Sequence, residues 1–411
     1  MNARNISFLA AVVLLLSPAA ALAQKNSCLD CHAKLDDALK VTAESIRGDI
    51  HVQFGLTCKD CHGGNPALDD DRSMDKTFKG APKRAEIPGF CGRCHSDTAY
   101  MRTFNPSLRV DQLGQYETSK HGQQQKKGDL RVAVCTDCHG VHSIQSAKFP
   151  KSPTFPWNIP QTCGKCHADA ALMKAYGIKT DQLAQYKESV HAQALYDKKD
   201  MSAPTCNDCH GNHGAVPPEV KSIASVCRQC HPATGEVFSK SPHKKAFDEI
   251  GESECEACHG NHRILRPTAE MVGAGEKSVC VQCHDKGSAG FKAAALLKDE
   301  IEAYQGRHDR ILEILGVAER KGVEVSEAAF KIQDARTVLV SAKNLVHSLS
   351  PDEVARKLAE SDATLSEVEK AGADALHEAK FRRTGLVIVT AFLALFGVAL
   401  FFKIRSMNKP D

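Results

Sequence analysis

Every cysteine in this chain falls in one five-residue pattern: the eighteen cysteines form nine copies of Cys-x-x-Cys-His, with none left over. The copies are Cys28, Cys31, His32; Cys58, Cys61, His62; Cys91, Cys94, His95; Cys135, Cys138, His139; Cys163, Cys166, His167; Cys206, Cys209, His210; Cys227, Cys230, His231; Cys255, Cys258, His259; and Cys280, Cys283, His284. Only 19 of 411 residues are histidine, so its place after every pair reflects a chemical requirement rather than coincidence.

Three chemistries use cysteines at this spacing. Structural zinc takes four ligands and so joins two pairs, whereas nine is odd, and zinc does not need histidine directly after the second thiol. A thiol redox site uses one pair in a βαβ fold, again with no adjoining histidine. Covalent attachment of a c-type haem uses all three residues: the thiols add to the two vinyl groups of a porphyrin, and the next residue lies under the iron as its proximal ligand. The expected cofactors are nine covalent c-type haems with their irons. Aromatic residues are only 6% of the chain, so porphyrin faces are expected to supply much of the buried apolar surface. The implied fold class is mainly α, with short helices and long irregular connections.

The motifs are ordered as a repeat. "QLGQYETSKHG" precedes "CTDCHGVH" and then "CGKCH"; "QLAQYKESVHA" precedes "CNDCHGNH" and then "CRQCH"; "VFSKSPHKK" precedes "CEACHGNH" and then "CVQCH". A unit nearer the N-terminus runs from "GDIHVQF" through "CKDCHGGN" to "CGRCH", with Asn65 in place of the second histidine. Each unit thus carries an upstream histidine, a CHGxH motif or its CHGGN variant, and a plain motif. One further motif, ending at His32, stands before the four units.

The two ends of the chain bear on its compartment. Arg4, the apolar run from Phe8 to Leu16, and Ala21-Leu22-Ala23 form a secretory leader over residues 1–23. Residues 384–402 are apolar and uncharged, about 28 Å long as a helix and close to a bilayer's hydrocarbon thickness. Three cations flank each side of this segment, so charge does not orient it. The haems must be outside, which leaves residues 403–411 as a cytoplasmic tail. A single helical span indicates the cytoplasmic rather than the outer membrane. Net charge is only +3 and no basic cluster interleaves with aromatics, so nucleic acid is not an expected partner.

Between residues 24–288, expected to be the haem domain, and the span, residues 289–380 read as a helical bundle or stalk. Leu297, Ile301, Tyr304, His308, Ile311 and Leu315 lie on one helix face. Val325, Ala329, Ile332, Leu339, Ala342, Val346 and Leu349 continue in a second helix. "SPDE" then opens a third, with Ser350 as N-cap, Pro351 at the first position and Glu353 closing a capping box, and Val354 to Ala379 lead toward the span.

The nine motifs, their CHGxH variants, the leader and the terminal anchor resemble the periplasmic, membrane-anchored multihaem c-type cytochromes of anaerobically respiring bacteria. That resemblance implies that each iron takes a second, distant histidine and is six-coordinate. Ten histidines lie outside the motifs. His51, His121, His191 and His243 hold the upstream place; His142, His213 and His262 hold the CHGxH place, from which each is expected to reach a neighbouring haem rather than its own. His308 and His347 are the candidates for the two haems that remain, and His377 falls on a polar face. Six-coordinate iron passes electrons and binds no substrate. The expected function is therefore electron transfer between the membrane quinol pool, through a partner quinol-oxidising subunit, and periplasmic acceptors such as other cytochromes. The alternative is a reductase acting on nitrite or hydroxylamine at a five-coordinate haem.

Overall fold

The computed structural model describes residues 26–216 and 225–407; the leader expected at 1–23 lies outside them. Among the described residues there are helices and connections and no strand. The chain forms two compact units, one made of Met1–Ile178 with Thr205–Val216, the other of Lys179–Pro204 with Pro217–Asp411.

In the first unit the motifs build two kinds of helix. Cys58–His62, Cys135–His139 and Cys206–His210 are single turns. Each is started by the aspartate before its second cysteine, which folds back to accept a backbone N–H from the residue ahead of the first: Thr57 to Asp60 at 2.6 Å, Val134 to Asp137 at 2.7 Å, and Thr205 to Asp208 at 2.7 Å. That carboxylate serves an amide which the helix itself leaves unpaired. Ile87–His95 and Ile159–His167 are longer and carry proline in their first turn, where its missing N–H costs nothing. Arg84 fastens one repeat to the next: its guanidinium meets both Asp137 oxygens, at 3.2 and 2.6 Å, and donates to the Leu130 and Val132 carbonyls.

The second unit holds the last three motifs and four later helices: Ala289–Arg320, Ser326–Leu345, Pro351–Ala359 and Asp362–Met407. Ile311, Ile332, Val354, Leu365 and Val368, each 1% exposed or less, form its hydrophobic core, and each such side chain contributes about 1.5–3 kcal/mol by burial. The first of these helices buries the face read from sequence, His308 included. In the second, Ala328 is buried and the expected Ala329 is exposed, a shift of one position in the seam. Ser350 caps the third by accepting the Glu353 N–H at 3.3 Å. The helix expected to run on to Ala379 breaks at residues 360–361, where buried Ser361 hydrogen-bonds the Tyr304 hydroxyl instead of continuing the helix. Asp362–Met407 then runs unbroken through the apolar segment. It is the one described helix long and apolar enough to cross a membrane, and its most apolar stretch packs against nothing in the protein.

The haem-motif helices also contact the bundle within this unit. Pro232–Ser239 packs on Ser326–Leu345 and on the short turn Val346–Ser348, and Thr234 donates to Asn344 at 2.6 Å. That contact brings the start of the loop bearing His347 to the last repeat.

Candidate functional site

The upstream histidines each ride on a short helix whose cap lies two residues before them: Asp49 caps Ile50–Gln53, Ser119 caps Lys120–Lys126, Ser189 caps Val190–Tyr196, and Ser241 stands before Pro242–Ile250. The first amide of three of these helices donates to a carbonyl two residues past a CHGxH histidine: Ile50 to Ile144 at 2.7 Å, Lys120 to Ala215 at 3.1 Å, and Val190 to Ile264 at 2.8 Å. An orphan donor of one repeat is thereby satisfied by the next repeat.

The second histidines are aimed by the glycine between. Gly140 follows His139 with φ 81° and ψ −171°, and Gly63, Gly211 and Gly260 adopt the same region. This backbone conformation is almost exclusive to glycine. It ends the motif helix and turns the chain away from the haem that His139 would hold. His142 then has φ 54° itself.

The outcome is a set of opposed imidazoles. In the first unit His51 faces His95 with ring centres 5.9 Å apart, His142 faces His62 at 6.1 Å, His121 faces His167 at 6.2 Å, and His213 faces His139 at 6.1 Å. In the second unit His191 faces His231 at 6.5 Å, His243 faces His284 at 5.7 Å, and His347 faces His259 at 6.0 Å. An iron about 2 Å from each of two nitrogens, with each ring centre about 1 Å further back, separates the centres by about 6 Å. The spacing fits a metal between the rings. His243 and His284 face through their Nε2 atoms, 3.4 Å apart.

Backbone carbonyls anchor one ring nitrogen of four of the candidate ligand histidines. Nδ1 of His62, His347, His32 and His210 donates to the carbonyls of Gly80 at 2.9 Å, Asn344 at 2.9 Å, Leu39 at 2.7 Å and Val216 at 3.4 Å. A carbonyl can only accept, so the proton is on Nδ1 and the Nε2 lone pair is left for a metal. Burial, reinforced by neighbouring histidines, holds the imidazoles of His95, His121, His139, His167, His191, His243 and His259 below the usual histidine range. Neutral imidazole is the form that ligates.

The cysteines are all free of disulfides, and among the described residues no cluster of three or more His, Cys, Asp or Glu side chains is gathered as a site for a bare metal ion. They meet instead in a regular series. Cys91 lies beside Cys135, Cys163 beside Cys206, and Cys227 beside Cys255, close enough that each thiol perturbs the other. Each of these pairs joins the plain motif of one repeat to the CHG motif of the next. Burial raises the thiols of Cys61, Cys138 and Cys258, and the nearby cysteines Cys94, Cys163 and Cys280 of the same repeats raise them further.

Two of the histidines singled out in the sequence stand apart from this pattern. His32, in Ser27–His32, belongs to none of these seven opposed pairs, although it lies close enough to His142 to help hold that imidazole below the usual histidine range. His308 is inside the bundle, 5% exposed, with Nδ1 on Asp309 at 3.1 Å. His262 holds the CHGxH place of the last repeat and donates its backbone N–H to Asn261 at 2.7 Å. Sequence reasoning missed Asp49. Its signal is present in the repeats, as the residue two before each upstream histidine in "DIH", "SKH", "SVH" and "SPH".

Comparison with known proteins finds similarity to multihaem cytochromes. The family described as cytochrome c3 matches residues 50–168, and the doubled CXXCH motif matches residues 248–289. The multiheme cytochrome MtrA of Shewanella baltica is 26% identical over 219 residues, covering 50% of this chain and 52% of the relative. The chain thus spans about half the length of the curated relative it matches. No solved structure matches.

Proposed function

We propose that this chain, a multihaem c-type cytochrome, conducts electrons along nine covalently bound haems between the membrane quinol pool and periplasmic acceptors. Electron transfer through c-type haems is the part its resemblance to a multihaem cytochrome supports directly. The observation that carries the rest is the set of seven opposed histidine pairs about 6 Å apart, each joining a motif histidine to one outside the motifs. When bound, each haem supplies the redox centre, and the protein fixes its spacing, ligands and burial.

In this reading His51, His121, His191 and His243 complete the irons of the plain motifs, each within its own repeat. His142 and His213 complete the iron of the CHG motif one repeat earlier. His347, from the turn after the second bundle helix, serves the last such motif in place of a further repeat. His262 is assigned as a ligand by its repeat position. The four upstream histidines with His142, His213, His262 and His347 give eight donors for the eight haems of the four repeats. His308 is left to the bundle interior.

The closeness of cysteines from successive motifs supports electron passage between neighbouring repeats within each compact unit. The uncharged helix at 384–402 supports a tether in the cytoplasmic membrane with the haems outside, delivered electrons by a membrane quinol-oxidising subunit. Bis-histidine ligation favours low potentials, which suit such a donor.

A second reading, a reductase of a small molecule such as nitrite, gains one specific support: the His32 haem precedes the repeats and receives none of the eight donors. Electron paramagnetic resonance of the oxidised protein, with carbon monoxide added to the reduced form, separates the two. Low-spin signals alone and no carbon monoxide binding support the conductor. A stoichiometric high-spin haem that binds carbon monoxide would move the function to that haem.

A further inference from the structure

The four helices that present the upstream histidines differ in one buried atom group. Ser119, Ser189 and Ser241 occupy the cap position in three repeats, and Asp49 occupies it in the first; all four are 7% exposed or less. The serines are neutral. Ser119 and Ser189 accept a backbone N–H from Gly122 and Ala192.

Asp49 does more. Its Oδ1 accepts the backbone N–H of His51 at 2.8 Å and the ring Nδ1–H of the same histidine at 3.1 Å. Its Oδ2 accepts the backbone N–H of Ile144 at 2.7 Å, while Ile50 donates to the Ile144 carbonyl at 2.7 Å. Ile144 is two residues past His142, whose ring faces His62. One carboxylate therefore holds the ring opposite His95 and the length of backbone that carries the ring opposite His62.

A carboxylate on the far nitrogen of a ligating imidazole draws that proton toward itself and makes the other nitrogen a stronger donor. A stronger donor stabilises ferric over ferrous iron, and a buried negative charge does so further. We infer that Asp49 is a positioning residue that lowers the reduction potential of the His95 haem below those of the other upstream-ligated haems, and locks the ligands of the first two repeats in register. The inference rests on His51 being an iron ligand. It places a low-potential step at the third motif from the N-terminus, set by one side chain that the other repeats replace with serine.

The test is spectroelectrochemical titration of the full-length, haem-loaded protein and its variants. Asp49→Asn keeps the shape and removes the charge; one haem component shifts to higher potential, with haem content and low-spin character unchanged. Ser119→Asp makes the converse change in the second repeat and shifts one component to lower potential. Superimposable titrations for both variants overturn the inference. If Asp49→Asn disturbs ligation instead, Ser119→Asp alone decides: a downward shift supports the inference and an unchanged curve overturns it. His51→Ala separates the premise, because it converts one haem to high spin if His51 is a ligand. Low spin throughout refutes that ligation, whereas high spin with silent Asp49→Asn and Ser119→Asp titrations removes only the role of Asp49.

Discussion

At the scale of single residues, the glycine after the motif histidine decides where the second histidine goes. Gly140 has open space around it, so adding a methyl group meets no neighbour; what forbids alanine is the backbone, at φ 81° and ψ −171°. Gly140→Ala is expected to destabilise the haem-loaded protein by about 1–3 kcal/mol. Gly114, equally unobstructed but inside the helix Gln112–Thr118, takes alanine with a gain of about 0.4–1 kcal/mol. Thermal unfolding of the two variants side by side checks both signs. Histidines in the CHGxH place are legible as cross-ligand candidates from their spacing alone. The different surroundings of His308 and His347, both expected as ligands, are not. A seam position tells that a side chain is buried, but not whether it faces leucines or another imidazole. His347 acquires its place from the left-handed turn at Leu349 and from the packing of Val346–Ser348 on Pro232–Ser239, neither of which a periodicity carries.

At the scale of elements, the repeats are sewn by backbone atoms and the bundle is held by side chains. The amides of Ile50, Lys120 and Val190 bind carbonyls a full repeat away, an interaction with no side-chain signature and so invisible in sequence. The bundle is legible because leucine and isoleucine periodicity records burial directly. Its third helix is shorter than that periodicity implies, since nothing in the pattern reveals that Ser361 hydrogen-bonds Tyr304 and interrupts it. The two kinds of cohesion predict different responses. Ile332 is fully buried, and Ile332→Ala should cost the bundle about 2–5 kcal/mol, seen as an earlier loss of helical circular dichroism. The haem absorbance should hold to higher temperature, except for the component that depends on His347. Simultaneous loss of every haem band would show that the bundle and the haem-bearing segments unfold as one.

At the scale of the whole molecule, the packed hydrophobic cluster belongs to the bundle, while the cysteine-bearing segments expose or half-expose their thiols and depend on porphyrin for their interior. The terminal helix offers apolar Leu386, Phe392, Leu395 and Phe401, each at least 60% exposed. Ending the chain after Arg383 is expected to release the protein from membranes with an unchanged haem spectrum; fractionation of cells making the shortened form reads the first, and absorbance the second. Retention in the membrane fraction would mean that another surface holds it there.

The borrowing of a ligand from the next repeat has a consequence for how such a chain can change in length. Under the proposed ligation each CHG haem would be completed by a histidine from the segment after it, so the array would never be finished from within. Cutting it after any whole repeat would then leave one iron short of a ligand, whereas inserting a whole repeat would add two centres and leave the ligation of every other iron unchanged. On that reading His347 would act as a stopper: it would end a pattern that could otherwise be extended, and would make the final bundle part of the conductor rather than only its support.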